Sequence, residues 1–194
     1  MTYATTPIRS DRTDDYRDIS NAASLLSRLE LEGVDVGDRW EELARLAEVR
    51  SGDGCLAFAD LHYMLALCGG ARTEAAVGMI ARMRATRPLQ DEAQRVIAHP
   101  GLHLAEGLHA FACGEYSGAL AHLRAGRSDL RSIAGSYAQR DVFDRITIEA
   151  AIRSGHLDWA ADLIRDRQAR RGGALDGYAE ARLGFIEAAR REAV

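Results

Sequence analysis

Ile19, Ala22, Ala23, Leu26 and Leu29 recur at intervals of three and four residues, the spacing that returns side chains to one face of an α-helix. This run predicts an amphipathic helix from about Asp15 to Gly33. Trp40, Leu43, Ala44 and Ala47 repeat the pattern, with Asp38 placed to accept backbone N–H bonds at the helix start and SGDG at 51–54 closing it. Phe58, Leu61 and Leu65 mark a third helix, CGGAR a turn, and Ala76, Val77, Ile80 and Met83 a fourth, capped by Thr73. Pro88 and Pro100 punctuate the middle, each best placed in a first turn or at a kink because its ring forbids an interior helical hydrogen bond. A short helix is expected between them. Leu104, Leu108 and Phe111 lead into a turn at CGEYS and on to Ala119, Leu120 and Leu123. Phe143, Ile146 and Ala150 lead through SGHLD to Leu157, Ala160, Ala161 and Ile164. After GGALDG at 172–177, a last helix from Tyr178 to Ala193 carries Leu183 and Ile186 inward and is placed to cap the stack. No segment alternates apolar and polar residues between turns, so no strand is assigned. The predicted class is all-α, with a polar, flexible tail over residues 1–14 and a single helical domain over 15–194.

The helices pair, and the pairs repeat. CGGARTEAAVGMI, ACGEYSGALAHL and RSGHLDWAADLI superimpose with a turn glycine followed five residues later by alanine: Gly70 and Ala75, Gly114 and Ala119, Gly155 and Ala160. A glycine permits the tight reversal, and a small alanine lets the second helix approach the first. Gly107, Gly114, Tyr116 and Ala119 match the spacing of a tetratricopeptide repeat, while Arg72 and Leu157 stand where Tyr116 does in the other units. The turn glycines lie 44 and 41 residues apart, beyond the usual interval of about 34, so extra residues lodge between units. The expected architecture is antiparallel hairpins stacked as a tetratricopeptide-like α-α superhelix.

LELEGVDVGDRWEEL at 29–43, FADLHYMLALCGGAR at 58–72 and GSYAQRDVFDRITIEAAIRSGHLDWA at 135–160 together resemble the tetratricopeptide repeat protein 38 family over roughly residues 25–170. The resemblance implies an α-helical fold and no assigned reaction or catalytic residue, so no site is carried over. It places this chain against the C-terminal portion of longer family members.

Composition narrows the chemistry. The chain of 194 residues is 47% hydrophobic and 28% charged, enough to bury a core without disulfide or metal staples. Its formal charge is −4, which gives no general attraction to nucleic acid or anionic lipid. All the positive side chains apart from histidine are arginine, since the sequence contains no lysine. That removes the Schiff base of pyridoxal enzymes, the Walker A lysine and the phosphate-pairing lysine of kinases. Cys55, Cys68 and Cys113 form no C-x-x-C pair, which suits a reducing cytoplasm. The first residues do not read as a secretion signal, and no run of about 18 apolar residues follows.

No G-x-S-x-G, H-E-x-x-H or phosphate loop is present. Glu106 and His109 have the spacing of a di-iron motif, but a second Glu-x-x-His is missing. His109 and Cys113 lie one helical turn apart without further ligands to complete a zinc set, so no metal or cofactor is assigned. RDRQARR at 165–171 reads as a solvated helix end whose arginines suit the negative pole of the helix. Asp60 and His62 on one helix, with Gln139, Arg140 and Asp141 opening another, form a polar group able either to fix repeat geometry or to bind.

In the repeat register, Asp60, Met64 and Leu67, then Leu104 and Leu108, then Arg145, Glu149 and Arg153 fall on the face that lines the concave side. Such a face suits a peptide or a partner's helix. The expected function is therefore a non-catalytic scaffold that binds a protein segment there, with self-association as a further route and neither nucleic acid nor membrane as partner. The alternative is an enzyme or small-ligand binder that uses Asp60, His62 and Arg140 as acid, base and anion clamp.

Overall fold

The computed structural model describes residues 13–86 and 91–192. The tail expected over 1–14, apart from Thr13 and Asp14, lies outside the described residues, as do Pro88 and Ala193. The helices are α1 (Tyr16–Leu31), α2 (Arg39–Arg50), α3 (Ala57–Gly69), α4 (Thr73–Ala85), α5 (Glu92–Val96), α6 (Leu102–Ala112), α7 (Tyr116–Arg127), α8 (Tyr137–Arg153), α9 (Leu157–Arg170) and α10 (Gly177–Glu192). One wide turn, Ile97–Gly101, carries Pro100 at the kink between α5 and α6, and a 3₁₀ turn, Leu130–Ile133, precedes α8. No strand occurs among the described residues.

Local chemistry sets the helix starts. The Asp15 carboxylate accepts the Arg17 N–H at 2.8 Å. Ser136 and Gln139 form a reciprocal capping box on α8, with bonds of 3.3 and 2.8 Å. Two expected caps are corrected. Asp38 sits at the cap of α2, but its side chain makes no capping bond. Thr73 is the first helical residue of α4, and Arg72 precedes it.

Helices α1, α3, α6 and α8 end in the same way. The N–H groups of Val34, Arg72, Glu115 and His156 reach back to the carbonyls of Leu29, Leu67, Ala110 and Ala151 at 2.8–2.9 Å, the six-to-one closure of a Schellman motif. The residue before each donor is left-handed: Gly33 (φ 77°), Ala71 (φ 54°), Gly114 (φ 77°) and Gly155 (φ 81°). The turn position of the α3–α4 unit is thus Ala71, one residue after the Gly70 expected from sequence. Its alanine partner is Ala76, buried like Ala119 and Ala160, whereas Ala75 is half-buried. The residue standing where Tyr116 does is correspondingly Thr73. Gly69 and Gly70 serve a different purpose. A Cβ on Gly69 would fall 2.4 Å from the Trp40 ring, and one on Gly70 would fall 2.2 Å from the Ala44 Cβ, so these glycines let α2 press onto the end of α3.

Four hairpins result, α1–α2, α3–α4, α6–α7 and α8–α9. Their first helices run the same way, because the C-terminal residues of all four line one cavity. Helix α3 packs between α1 and α6, and α1 also packs on α8. First and last hairpins therefore meet, and the face expected to line an open groove is enclosed. Its contents explain the apolar run of α3: every residue from Ala57 to Leu67 is buried, as expected for a helix surrounded by others.

Candidate functional site

The enclosed centre differs at its two ends. At the N-terminal end of the inner helices it is plugged. The His62 ring lies between Phe58 and Phe143, with centroids 4.4 and 5.1 Å away. Its Nδ1 is 2.7 Å from the Phe58 carbonyl, which assigns the proton to Nδ1. Burial holds the imidazole pKa down at about 4, so the ring is neutral near pH 7. Asp60, one helical face away, pairs with Arg82 at 2.9 Å, and burial raises its pKa. Met64 is fully buried.

Arg140 does not join them. Its guanidinium donates to the carbonyls of Ala134, at 3.0 Å, and Gly135, and it lies over the Tyr137 ring at 5.1 Å. The acid, base and anion clamp expected from Asp60, His62 and Arg140 is therefore not assembled: each has its own partners, and His62 is held among aromatic rings.

A second polar region surrounds Tyr178 at the start of α10. Arg145, Arg182 and Arg167 stand over its ring at 4.4, 4.7 and 5.3 Å. Arg167 bridges Asp141 (2.6 Å) and Asp176 (2.7 Å). Arg145 pairs with Asp141 at 2.9 Å and Glu32 at 3.3 Å, and Glu149 pairs with Arg182 at 2.7 Å. Burial alone would raise the Asp141 pKa, but hydrogen bonds and charge from Arg167, then Arg145, outweigh it and lower the value. Burial pushes the Tyr178 hydroxyl up, reinforced by the Glu149 charge.

Two expectations are corrected here. Asp141, Arg145 and Glu149 face the chain's own α9, α10 and the end of α1 rather than an open groove. The run at 165–171 is also not uniformly solvated, since Arg167 is only 3% exposed. The sequence held a signal for it: Arg167 follows Ala160 and Ile164 on the apolar stripe of α9.

At the C-terminal end, the centre opens into a cavity of about 360 Å³. Leu65, Leu108, Phe111 and Ile146 come from three inner helices, Trp40 from α2, and Glu30 and Arg153 add charge. Of the residues expected to bind, Leu108 and Arg153 are brought together here. Trp40 Nε1 donates to Glu30 at 2.8 Å. Arg153 lies over the Phe111 and Tyr116 rings at 5.1 and 5.3 Å and donates to the Tyr116 hydroxyl at 3.2 Å. Cys68 also lines the cavity, but burial pushes its thiol up to about 12, so it remains protonated and unreactive near pH 7. The C-terminal ends of four helices surround this cavity, and the negative poles of their dipoles make it attractive to positive charge.

A further cavity, of about 470 Å³, lies between Arg127, Arg131, Tyr137, Arg140 and Arg170. Asp144 draws on Arg170 at 2.8 Å and Arg127 at 3.7 Å, so much of its positive charge is internally paired. His109 and Cys113 face one another, with Sγ 4.0 Å from Nε2. Glu106 turns instead to His122, at 3.1 Å, and His103, at 4.0 Å. Those three side chains form the one metal-competent cluster among the described residues. It escaped the sequence reading because its second histidine comes from another helix.

No protein-family model and no solved structure matches the chain.

Proposed function

We propose that the protein is a non-catalytic binding module that takes up an apolar side chain of a protein segment in the cavity at the C-terminal ends of α1, α3, α6 and α8. The observation that carries this reading is the makeup of the cavity. Side chains from all four hairpins' inner or adjacent helices supply apolar walls, while Glu30 and Arg153 stand at its edge. An apolar anchor entering a desolvated pocket with a polar rim is the usual energetic centre of a protein interface. The four helix C-termini add a preference for a basic residue beside that anchor. A cavity of about 360 Å³ is near the lower bound for drug-sized ligands, roughly 300 Å³, and suits a side chain better than a large metabolite. Three free thiols, Cys55, Cys68 and Cys113, support a cytoplasmic setting.

The test is selection of a displayed peptide library on the full chain, repeated on Ala112→Trp. Ala112 is exposed and lines the cavity, so a ring there blocks the pocket without entering the core. Enriched peptides should share an apolar residue beside a basic one and bind Ala112→Trp at least tenfold more weakly. Peptides that bind both proteins equally, or no enrichment, would reject the reading.

A further inference from the structure

The second histidine cluster lies outside both polar regions and outside the cavity. His103 and Glu106 rise from neighbouring turns of α6, and His122 faces them from α7. One ring nitrogen of each histidine and a carboxylate oxygen of Glu106 lie within 4.8 Å of one another. Glu106 Oε2 is 3.1 Å from His122 Nδ1 and 4.0 Å from His103 Nδ1. A tetrahedral zinc ion, with bonds of about 2.0–2.1 Å, separates its nitrogen and oxygen donors by roughly 3.3 Å, a value between these two distances. Small side-chain rotations would close the set around an ion.

Two further observations point the same way. His103 Nδ1 is buried and has no hydrogen-bond partner, and an unpaired buried nitrogen is unfavourable unless something accepts its lone pair or proton. Arg84 holds the other oxygen of Glu106, Oε1, leaving Oε2 directed at the imidazoles and fixing the carboxylate from the side, as outer-shell partners do in metal sites. His99 stands beside the cluster, its ring 5.4 Å from that of His103 and its Nε2 3.1 Å from Asp129.

We propose that His103, Glu106 and His122 bind a divalent transition ion of the zinc class. Two imidazoles and one carboxylate suit zinc, cobalt or nickel better than calcium or magnesium, which take oxygen ligands. Three protein donors leave the fourth position of a tetrahedral ion to water. The ion ties α6 to α7 and, through Arg84, to the end of α4.

The test uses the full chain, stripped by a chelator and titrated with cobalt(II), whose visible absorption reports low coordination number. Expected are saturable binding of one ion per chain, displacement by zinc, and a zinc-dependent rise in the melting temperature of the unmodified protein. His122→Ala and His103→Ala should abolish the absorption, and Glu106→Gln should weaken binding at least tenfold. His109→Ala, on the same helix but outside the cluster, should bind as the unmodified chain does. Circular dichroism of each variant separates lost ligation from lost fold. Absence of one-to-one binding, a folded His122→Ala that binds normally, or equal loss in His109→Ala would overturn the assignment.

Discussion

The plug around His62 and the cage around Tyr178 both withdraw ionisable groups from water, yet they shift the pKa values of their aspartates in opposite directions. In the plug, burial prevails. His62 meets two phenyl rings and one carbonyl, and its pKa falls to about 4. Asp60 has one arginine, leaves Oδ2 unpartnered and has a raised pKa. At Asp141 in the cage, partners prevail. Asp141 is gripped through both oxygens by Arg167 and again by Arg145, and its pKa is lowered. The depth of burial is similar, at 1% exposure for Asp60 and 7% for Asp141. What separates them is the number of charge-assisted bonds, because each additional one favours the ionised form against desolvation. An inner helix can therefore hold a carboxylate with its pKa raised or lowered, according to what its neighbours supply.

The largest test of this contrast is Arg167→Met. It removes the guanidinium that joins α8 to the start of α10 and leaves Asp141 and Asp176 short of positive charge. Breaking a buried pair from one side costs about 3–5 kcal/mol, and Arg145 remaining beside Asp141 places the expected loss at the lower end. Urea unfolding at pH 7 measures it. The same variant should flatten the loss of stability in acid. A carboxylate with a lowered folded pKa contributes stability that is present above its unfolded value of about 3.9 and is lost as pH falls through the folded value. An Arg167→Met protein as stable as the unmodified one would mean that the cage merely coexists with the α10 contact.

Next in size is the titration of His62. Its folded pKa of about 4 lies below the unfolded value of about 6.5, so the unfolded chain binds the proton more readily across that interval. Stability is full above pH 6.5 and declines as pH falls towards 4, by roughly 3 kcal/mol over the window. His62→Leu should remove this slope while retaining an apolar plug. A profile with the same slope in His62→Leu would show that another group drives the acid response.

Much of this architecture is legible in the sequence because it rests on local spacing. The three- and four-residue periods locate the long helices, the two prolines bracket the short α5, and five-residue glycine–alanine spacing finds two of the turns. It misplaces the turn after α3 by one residue because Gly69 and Gly70 lie there for a tertiary reason, the approach of Trp40 and Ala44. The plug was half legible. Asp60 and His62 stand out as polar residues in an apolar run, but nothing local reveals that Arg82 and Phe143 complete their surroundings. The cage was the least legible, since Asp141, Arg167 and Asp176 come from three separate segments. Closure of α1 onto α8, which turns the expected groove inward, is likewise a property of packing over more than a hundred residues.

The smallest and most discriminating change is Asp60→Asn. The amide has nearly the same shape and keeps an oxygen to accept from Arg82, so at pH 7 stability should shift by only about 1 kcal/mol, the net scale of one hydrogen bond. Its sign in acid is the informative part. A carboxylate with a raised folded pKa makes the folded chain the better proton binder, so its contribution improves as pH falls from that raised value towards about 3.9. This gain partly offsets the losses from His62 and the cage. Removing the titrating group should therefore make acid unfolding steeper, the reverse of what Arg167→Met does. Unfolding midpoints of both variants between pH 3 and 7 provide the comparison. If Asp60→Asn and Arg167→Met bend the profile the same way, the number of arginine partners is not what distinguishes the two aspartates.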